Sequence, residues 1–267
     1  MKIVRHLTAR GPAYAALQAD GTACEIVGDI LGEFRLTDHA VTLGHRLAPV
    51  EPRCLIGVGL NYAKHAAEGG KPPPQWPMWF MKLPGAVQHP DSPIELPRHQ
   101  PTLQADYEAE LAIVIGRTAR NLTKAEAINY VLGYTCANDV SARDWQRTFG
   151  GGQFCHAKSF DTFCPLGPVL VTPDELPNPN ALRIRSMLNG TVMQDSSTAD
   201  MIFDVPTLIE FLTADKTLPA GTVILTGTPE GVGFARTPPV WLKAGDTISI
   251  EIEQIGTLTN PVALSAT

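Results

Sequence analysis

The chain has 267 residues, of which 44% are apolar and 18% charged, and a formal net charge of −6. That is enough apolar chain to bury a sizeable core, and the acidic balance, with its cations scattered, excludes a surface built to hold nucleic-acid phosphates. There is no run of about 18 apolar residues, and Met1 to Tyr14 lacks the apolar segment of a secretory signal, so the expectation is a cytoplasmic protein with no membrane partner.

Along the chain, residues 1–50 read as short strands broken by Gly11-Pro12, Asp20-Gly21 and Gly28-Asp29, a small β-rich unit without useful chemistry. Residues 51–267 form the second unit. Leu55 to Leu60 is an apolar strand, and Asn61 to Glu68 a short helix. The run from Gly69 to Trp79 holds Pro72, Pro73, Pro74 and Pro77, which rules out a regular element. With Trp76 and Trp79 it is either a rigid cover on the core or a substrate lid. Tyr107 to Gly116 reads as a strand entering a buried sheet. Thr123 and Glu126 form a capping box before a helix that Gly133 should end, and Tyr134 to Asp139 is strand-like. Ser141 and Asp144 repeat the capping spacing at a further helix start.

Asn189-Gly190 marks a hairpin, and Pro206 fits the first turn of a helix through Leu212. Thr222 to Gly233 runs from a strand into a glycine loop, and Ile248, Ile250 and Ile252 alternate with polar residues on a further strand. Strands outnumber helices without regular alternation. This excludes a doubly wound sheet or an eightfold barrel and predicts a mixed α+β, predominantly β fold. The cysteines Cys24, Cys54, Cys136, Cys155 and Cys164 are odd in number and lack C-x-x-C spacing, so they read as free thiols.

Chemistry begins with Glu108 and Glu110. Two residues apart in a strand, they share a face with Ala112 and Val114, so either they hold a divalent cation or they are the wet end of a strand whose buried part starts at Leu111. Asp139, at the end of an apolar run, is a third oxygen ligand or a simple cap. Together the three suit Mg²⁺ or Mn²⁺ and a ligand with two adjacent oxygens, such as a 2-oxo carboxylate. His65 and Glu68, three apart on a helix, are a general base with its orienting carboxylate or two surface residues. Lys158 faces a substrate carboxylate or an enolate oxygen, or else serves a salt bridge. Arg143 and Gln146 can orient a carboxylate or a water, while Thr228 lies in a turn that presents hydroxyl and backbone donors. Gly57-x-Gly59 lacks the third glycine and the βαβ setting of a dinucleotide loop.

These residues lie in GVGLNYAKHAAE (57–68), DYEAELAIVIG (106–116), GYTCANDVSARDWQ (133–146), AKSFDTFCPLGP (157–168) and LTGTPEGVG (225–233). In that order and spacing, the motifs from residue 53 to residue 263 resemble the fumarylacetoacetate hydrolase family. The resemblance implies a mixed β-roll, usually a homodimer, with Mg²⁺ or Mn²⁺ at its mouth on Glu108, Glu110 and Asp139. It implies His65 and Glu68 as the catalytic dyad, Lys158 as the active-site lysine, and Arg143, Gln146 and Thr228 as substrate-positioning residues. An additional aspartate ligand of the larger members has no counterpart near Asn61, which points to the smaller acylpyruvase-like branch with water in that position. The activity then expected is hydrolysis of a carbon–carbon bond in a 3-acylpyruvate or related 2,4-dioxo acid. The alternatives are isomerisation of hydroxydienedioates or decarboxylation of oxaloacetate-like acids through the same enolate chemistry and, more remotely, a non-catalytic ligand-binding protein.

Overall fold

The computed structural model describes residues 1–266; Thr267, the end of the second expected unit, lies outside them. The fold is mixed α+β and predominantly β, as its sequence pattern predicts. Twelve strands of the described chain form one sheet, whose main path runs Phe34–Ala40, Ala23–Gly28, Gly11–Leu17, Lys2–Thr8, Cys164–Val171, Val131–Asn138, Ala109–Ile115, Thr222–Leu225, Cys54–Gly59, Met78–Lys82. The N-terminal meander enters this sheet through Lys2–Thr8, which pairs antiparallel with Cys164–Val171.

A five-stranded sheet, ordered Thr191–Ser197, Arg183–Leu188, Thr247–Ile252, Gly256–Leu264, Ile94–Leu96, packs against one face. Ile248, Ile250 and Ile252 are all buried there, meeting Leu111 and Ile113 of the large sheet in one core. Each such side chain stabilises the fold by about 1.5–3 kcal/mol. On the opposite face Ala112 and Val114 meet Ile30, Ala48 and Val50 from the first fifty residues. Ala109–Ile115 is thus buried on both sides, which is why a charged residue at its end must find partners inside the protein.

The hairpin turn falls on Asn189 and Gly190, at φ 51° and 80°, the left-handed values that asparagine and glycine tolerate. Asp204 caps a helix over Val205–Thr213, with Pro206 in its first turn. The capping box at Thr123 and Glu126 forms, but its helix ends at Ala127 and passes through a 3₁₀ turn at Ile128–Tyr130. Val131 to Gly133 belong to the strand instead. A Cβ on Gly133 would lie 2.6 Å from the Val171 carbonyl, so this glycine admits a neighbouring strand and does not end a helix. Ser141 caps nothing: Ser141–Ala142 pairs with Ala105–Asp106, and Asp144 caps a π-helical turn at Trp145–Phe149. All five cysteines are free, and no described helix is long and apolar enough to cross a membrane.

Candidate active site

Two neighbouring strand ends deliver the carboxylates. The register Ala109 to Asn138 brings Glu108 and Asp139 together, and the Asp139 amide donates to the Glu108 carbonyl at 2.9 Å. The Glu108 amide donates to Asn138 Oδ1 at 3.0 Å, closing the junction. Glu110 projects from the same strand end, and ligand oxygens of Glu108, Glu110 and Asp139 lie within 4.8 Å of one another. All three are buried, so the wet-end alternative for the glutamates does not hold.

Three buried cations answer them. Lys158, at the end of the short helix Phe154–Lys158, donates to Glu108 Oε2 at 2.6 Å, Asp139 Oδ2 at 2.7 Å and Ser141 Oγ at 2.7 Å. Lys82 donates to Asp139 Oδ1 and to the Phe163 carbonyl. Arg143 spends its guanidinium on Asp106 Oδ2 at 2.9 Å, Glu108 Oε1 at 2.6 Å and Gln146 Oε1 at 3.0 Å. Burial alone would raise the Glu108 carboxyl, but Lys158 and then Arg143 hold it well below its ordinary value. For Lys158 burial opposes the charge, and Asp139 and Glu108 overcome it and raise the ammonium, which stays a cation.

Glu110 is different. Among the described residues it has no ion-pair partner, and its hydrogen bond comes from the Gly227 amide at 2.6 Å. Burial first, then the charges of Asp139 and Glu108, push its carboxyl well above the usual range. An all-oxygen cluster with one uncompensated member fits a hard divalent cation, which would relieve that repulsion and accept the ligands offered. Asn61 does not join them. Its side chain donates to the Phe203 and Thr226 carbonyls and accepts from the Phe203 amide, so it ties loops together behind the site.

His65, Glu108, Glu110, Arg143, Gln146, Lys158 and Thr228 line one cavity of about 360 Å³, with Asp139 and Glu68 each one contact behind its wall. His65 Nδ1 lies 3.0 Å from Glu68 Oε2, whose other oxygen accepts the Gly231 amide at 2.9 Å. Partial burial would raise Glu68, but its bonds to His65 and Gly231 lower it below its ordinary value, so it is a carboxylate holding the imidazole. The Thr228 hydroxyl donates to the Ala109 carbonyl and accepts from Gln194.

Several neighbours of this site were not singled out from the sequence. Lys82 ends the strand Met78–Lys82, where Phe80 and Lys82 are buried while Met78, Trp79 and Met81 are exposed; the two-residue period in MWFMK was the available signal. Asp106 accepts from the Gly233 and Phe234 amides as well as from Arg143. Phe234 carries the guanidiniums of Arg143 and Arg147 at 4.6 and 4.2 Å from its ring centre, and His65 meets its edge. Nothing in the sequence marks a phenylalanine for that role. In the proline-rich stretch, Met78 and Phe80 line the cavity, whereas Trp76 stacks on Phe211 outside it and Trp79 pairs through its backbone with Val58.

The fumarylacetoacetate (FAA) hydrolase C-terminal family matches residues 54–263. The chain belongs to the fumarylacetoacetate hydrolase family. It is 46% identical over 217 residues to the oxaloacetate tautomerase of Xenopus laevis, a match covering 81% of this chain and 67% of the relative. Among solved structures it is similar to a 5-carboxymethyl-2-hydroxymuconate delta-isomerase from Mycobacterium smegmatis, at 41% identity and a TM-score of 0.87 over 99% of this chain and 100% of that one. It is also similar to a fumarylacetoacetate hydrolase from Exiguobacterium antarcticum, at 38% identity and a TM-score of 0.88 over 99% and 100% of the two chains. The expected cytoplasmic location is overturned by such relatives, since those of Xenopus laevis, Bos taurus and Homo sapiens are mitochondrial by name. That expectation rested on the absence of a recognisable leader, which is weak ground beside named relatives.

Proposed function

We propose that the protein is an isomerase of 2-oxo acids that moves a proton at the carbon next to the 2-oxo group, as in keto–enol interconversion. The observation that carries this reading is that His65, oriented by Glu68, opens into the same cavity as the carboxylate cluster and Lys158. A proton carrier facing a charge-stabilising centre is what tautomerisation requires. Glu108, Glu110 and Asp139 would hold Mg²⁺ or Mn²⁺, which would supply Lewis-acid stabilisation of negative charge on a bound 2-oxo acid.

With Nδ1 turned to Glu68, His65 has Nε2 to take a proton from substrate carbon and to return it. Lys158, kept cationic, offers positive charge where the enolate oxygen develops, and Arg143 braces Glu108 and Gln146 around it. The names of the Xenopus laevis and Mycobacterium smegmatis relatives favour isomerisation over carbon–carbon cleavage. Hydrolysis of a 3-acylpyruvate is the second reading, because the same dyad can draw a proton from water, and the Exiguobacterium antarcticum neighbour is named a hydrolase.

The test follows the enol absorbance of oxaloacetate and the cleavage of acetylpyruvate side by side with Mg²⁺-loaded protein. Enol loss faster than buffer alone, abolished by a chelator and restored by Mg²⁺, is the expected result. Chelator-sensitive cleavage of acetylpyruvate with no acceleration of tautomerisation would replace the isomerase reading with the hydrolase one.

A further inference from the structure

Away from the cavity, the segment from Leu43 to Val50 joins the N-terminal meander to the rest of the chain, and two histidines outside it hold it down by its backbone. The Gly44 amide donates to His6 Nδ1 at 3.1 Å, and the Ala48 amide donates to His89 Nδ1 at 3.1 Å. His6 belongs to the strand Lys2–Thr8, whereas His89 follows the short strand Val87–Gln88, so the strap is gripped from both sides of the joint. Between the two bonds Arg46–Leu47 pairs with Arg5 and His6, and Arg5 donates to the Ala48 carbonyl at 3.4 Å.

An amide N–H only donates, so both Nδ1 atoms carry a lone pair and both bonds need a neutral imidazole. A proton on Nδ1 would set donor against donor. Ala48 is fully buried, so its amide could not turn to bulk water instead. The surroundings resist that proton. His6 is 3% exposed, and burial holds its imidazole below the ordinary value of 6.5. For His89 burial acts first, then the charges of Arg5 and His45, against a smaller opposing pull from Glu51. Facing His6 across a cavity of about 310 Å³ are Tyr14, Glu25 and His39 from the next three strands, and Arg46 is its strand partner in the strap. Glu51 bonds to Arg5 and Glu25 to His39, so among the described residues no carboxylate pairs with either latch histidine.

What the strap covers gives the arrangement its consequence. Ala48 and Val50 pack in one cluster with Ala112 and Val114, on the back of the strand that delivers Glu108 and Glu110. We propose that His6 and His89 form a pH-sensitive latch: neutral, they hold the strap against the back of that strand, and protonated, they release it. Both imidazoles take up a proton less readily in the closed strap than in a loosened one, so closure is complete above about pH 6.5 and is lost as the pH falls below it.

Amide exchange of the full chain with saturating Mg²⁺, corrected for the pH dependence of the exchange chemistry itself, reads the strap directly. Between pH 7 and 5.5 the protection of Gly44 and Ala48 should fall severalfold, up to about tenfold for each histidine that takes a proton, while Cys164–Val171 stays protected. Asparagine carries its side-chain oxygen where histidine carries Nδ1 but does not titrate. His6→Asn combined with His89→Asn should therefore keep the protection seen at pH 7 and remove its loss in acid. The imidazole resonances give an independent reading: both histidines should titrate with midpoints below 6.5, and the Gly44 and Ala48 amide shifts should follow them. If the double variant is already loose at pH 7, those midpoints decide alone. Wild-type protection that does not change with pH, a loss that persists in the double variant, a parallel loss in Cys164–Val171, or either histidine titrating at or above 6.5 would overturn the latch.

Discussion

Beneath the cavity Asp106, Glu108 and Asp139 each bond to a buried cation, whereas at its rim the exposed Lys71 and Arg147 form no ion pair among the described residues. The floor is built from strand ends fixed by the sheet register and buried on all sides. The rim is built from a helix exit and a π-helical turn open to solvent. This difference sets what each charge is worth to the fold. The paired charges of the floor are buried, and low-dielectric surroundings make each of them expensive to disturb. The exposed cations at the rim are solvated, and such charges contribute little to the folded state.

The largest expected effect comes from breaking the floor. In Asp139→Ala, Lys82 and Lys158 lose the carboxylate they share, and an uncompensated buried charge costs about 3–5 kcal/mol. Urea unfolding should show that loss together with the disappearance of calorimetric Mg²⁺ binding. Lys71→Gln at the rim should shift the same unfolding curve by no more than about 0.5 kcal/mol. Equal losses in the two variants would erase the distinction, and undiminished Mg²⁺ affinity in Asp139→Ala would remove Asp139 from the metal site.

His65 lies between the two regions, and its removal should affect rate without affecting the floor. His65→Ala should keep the Mg²⁺ affinity of the wild-type protein and slow turnover by about 10²–10⁴-fold, the usual worth of a positioned acid–base group. Glu68→Gln should slow it less, since the imidazole remains while its orientation weakens. Parallel loss of metal binding in His65→Ala would make the histidine part of the floor and not a proton carrier.

The sequence exposed the floor better than the rim, for reasons that lie in the kind of signal each leaves. Glu108 and Glu110 break an apolar alternation, and Ile248, Ile250 and Ile252 follow one, so period alone places them on faces. Asn189-Gly190 and Asp204 with Pro206 announce a turn and a helix start because few other residues suit those backbones. The failures occur where tertiary pairing overrides local preference. The helix expected to reach Gly133 gives way after Ala127 because Val131–Asn138 is needed between two strands, and Ser141 is drawn into a pair with Asp106 and a bond from Lys158. Lys82 was hidden by the prolines before it, although Met78–Lys82 is a regular strand once Pro77 is passed. Arg147 and Phe234 show nothing in sequence, since their association depends on two distant loops meeting.

A modest effect on stability alone is expected in the proline-rich stretch, which by sequence is either a cover or a lid. Trp76 stacks on Phe211 of the helix Val205–Thr213, with ring centres 6.2 Å apart and planes at 23°, while remaining 66% exposed. That stack fastens the segment to the outside of the fold, away from the cavity that Met78 and Phe80 line. Trp76→Ala should therefore cost about 0.5–1.5 kcal/mol of stability, the range of an aromatic pair, and Phe211→Ala should show a coupling of similar size with it in a double-mutant cycle. Turnover and Mg²⁺ affinity should stay at wild-type values, because nothing at the floor or the rim leans on this stack. Hydrogen exchange across residues 71–79 decides between the two roles: protection unchanged by saturating oxalate and Mg²⁺ fits a cover, while protection that rises on ligand binding, with slower turnover in Trp76→Ala, would make the segment a closing lid.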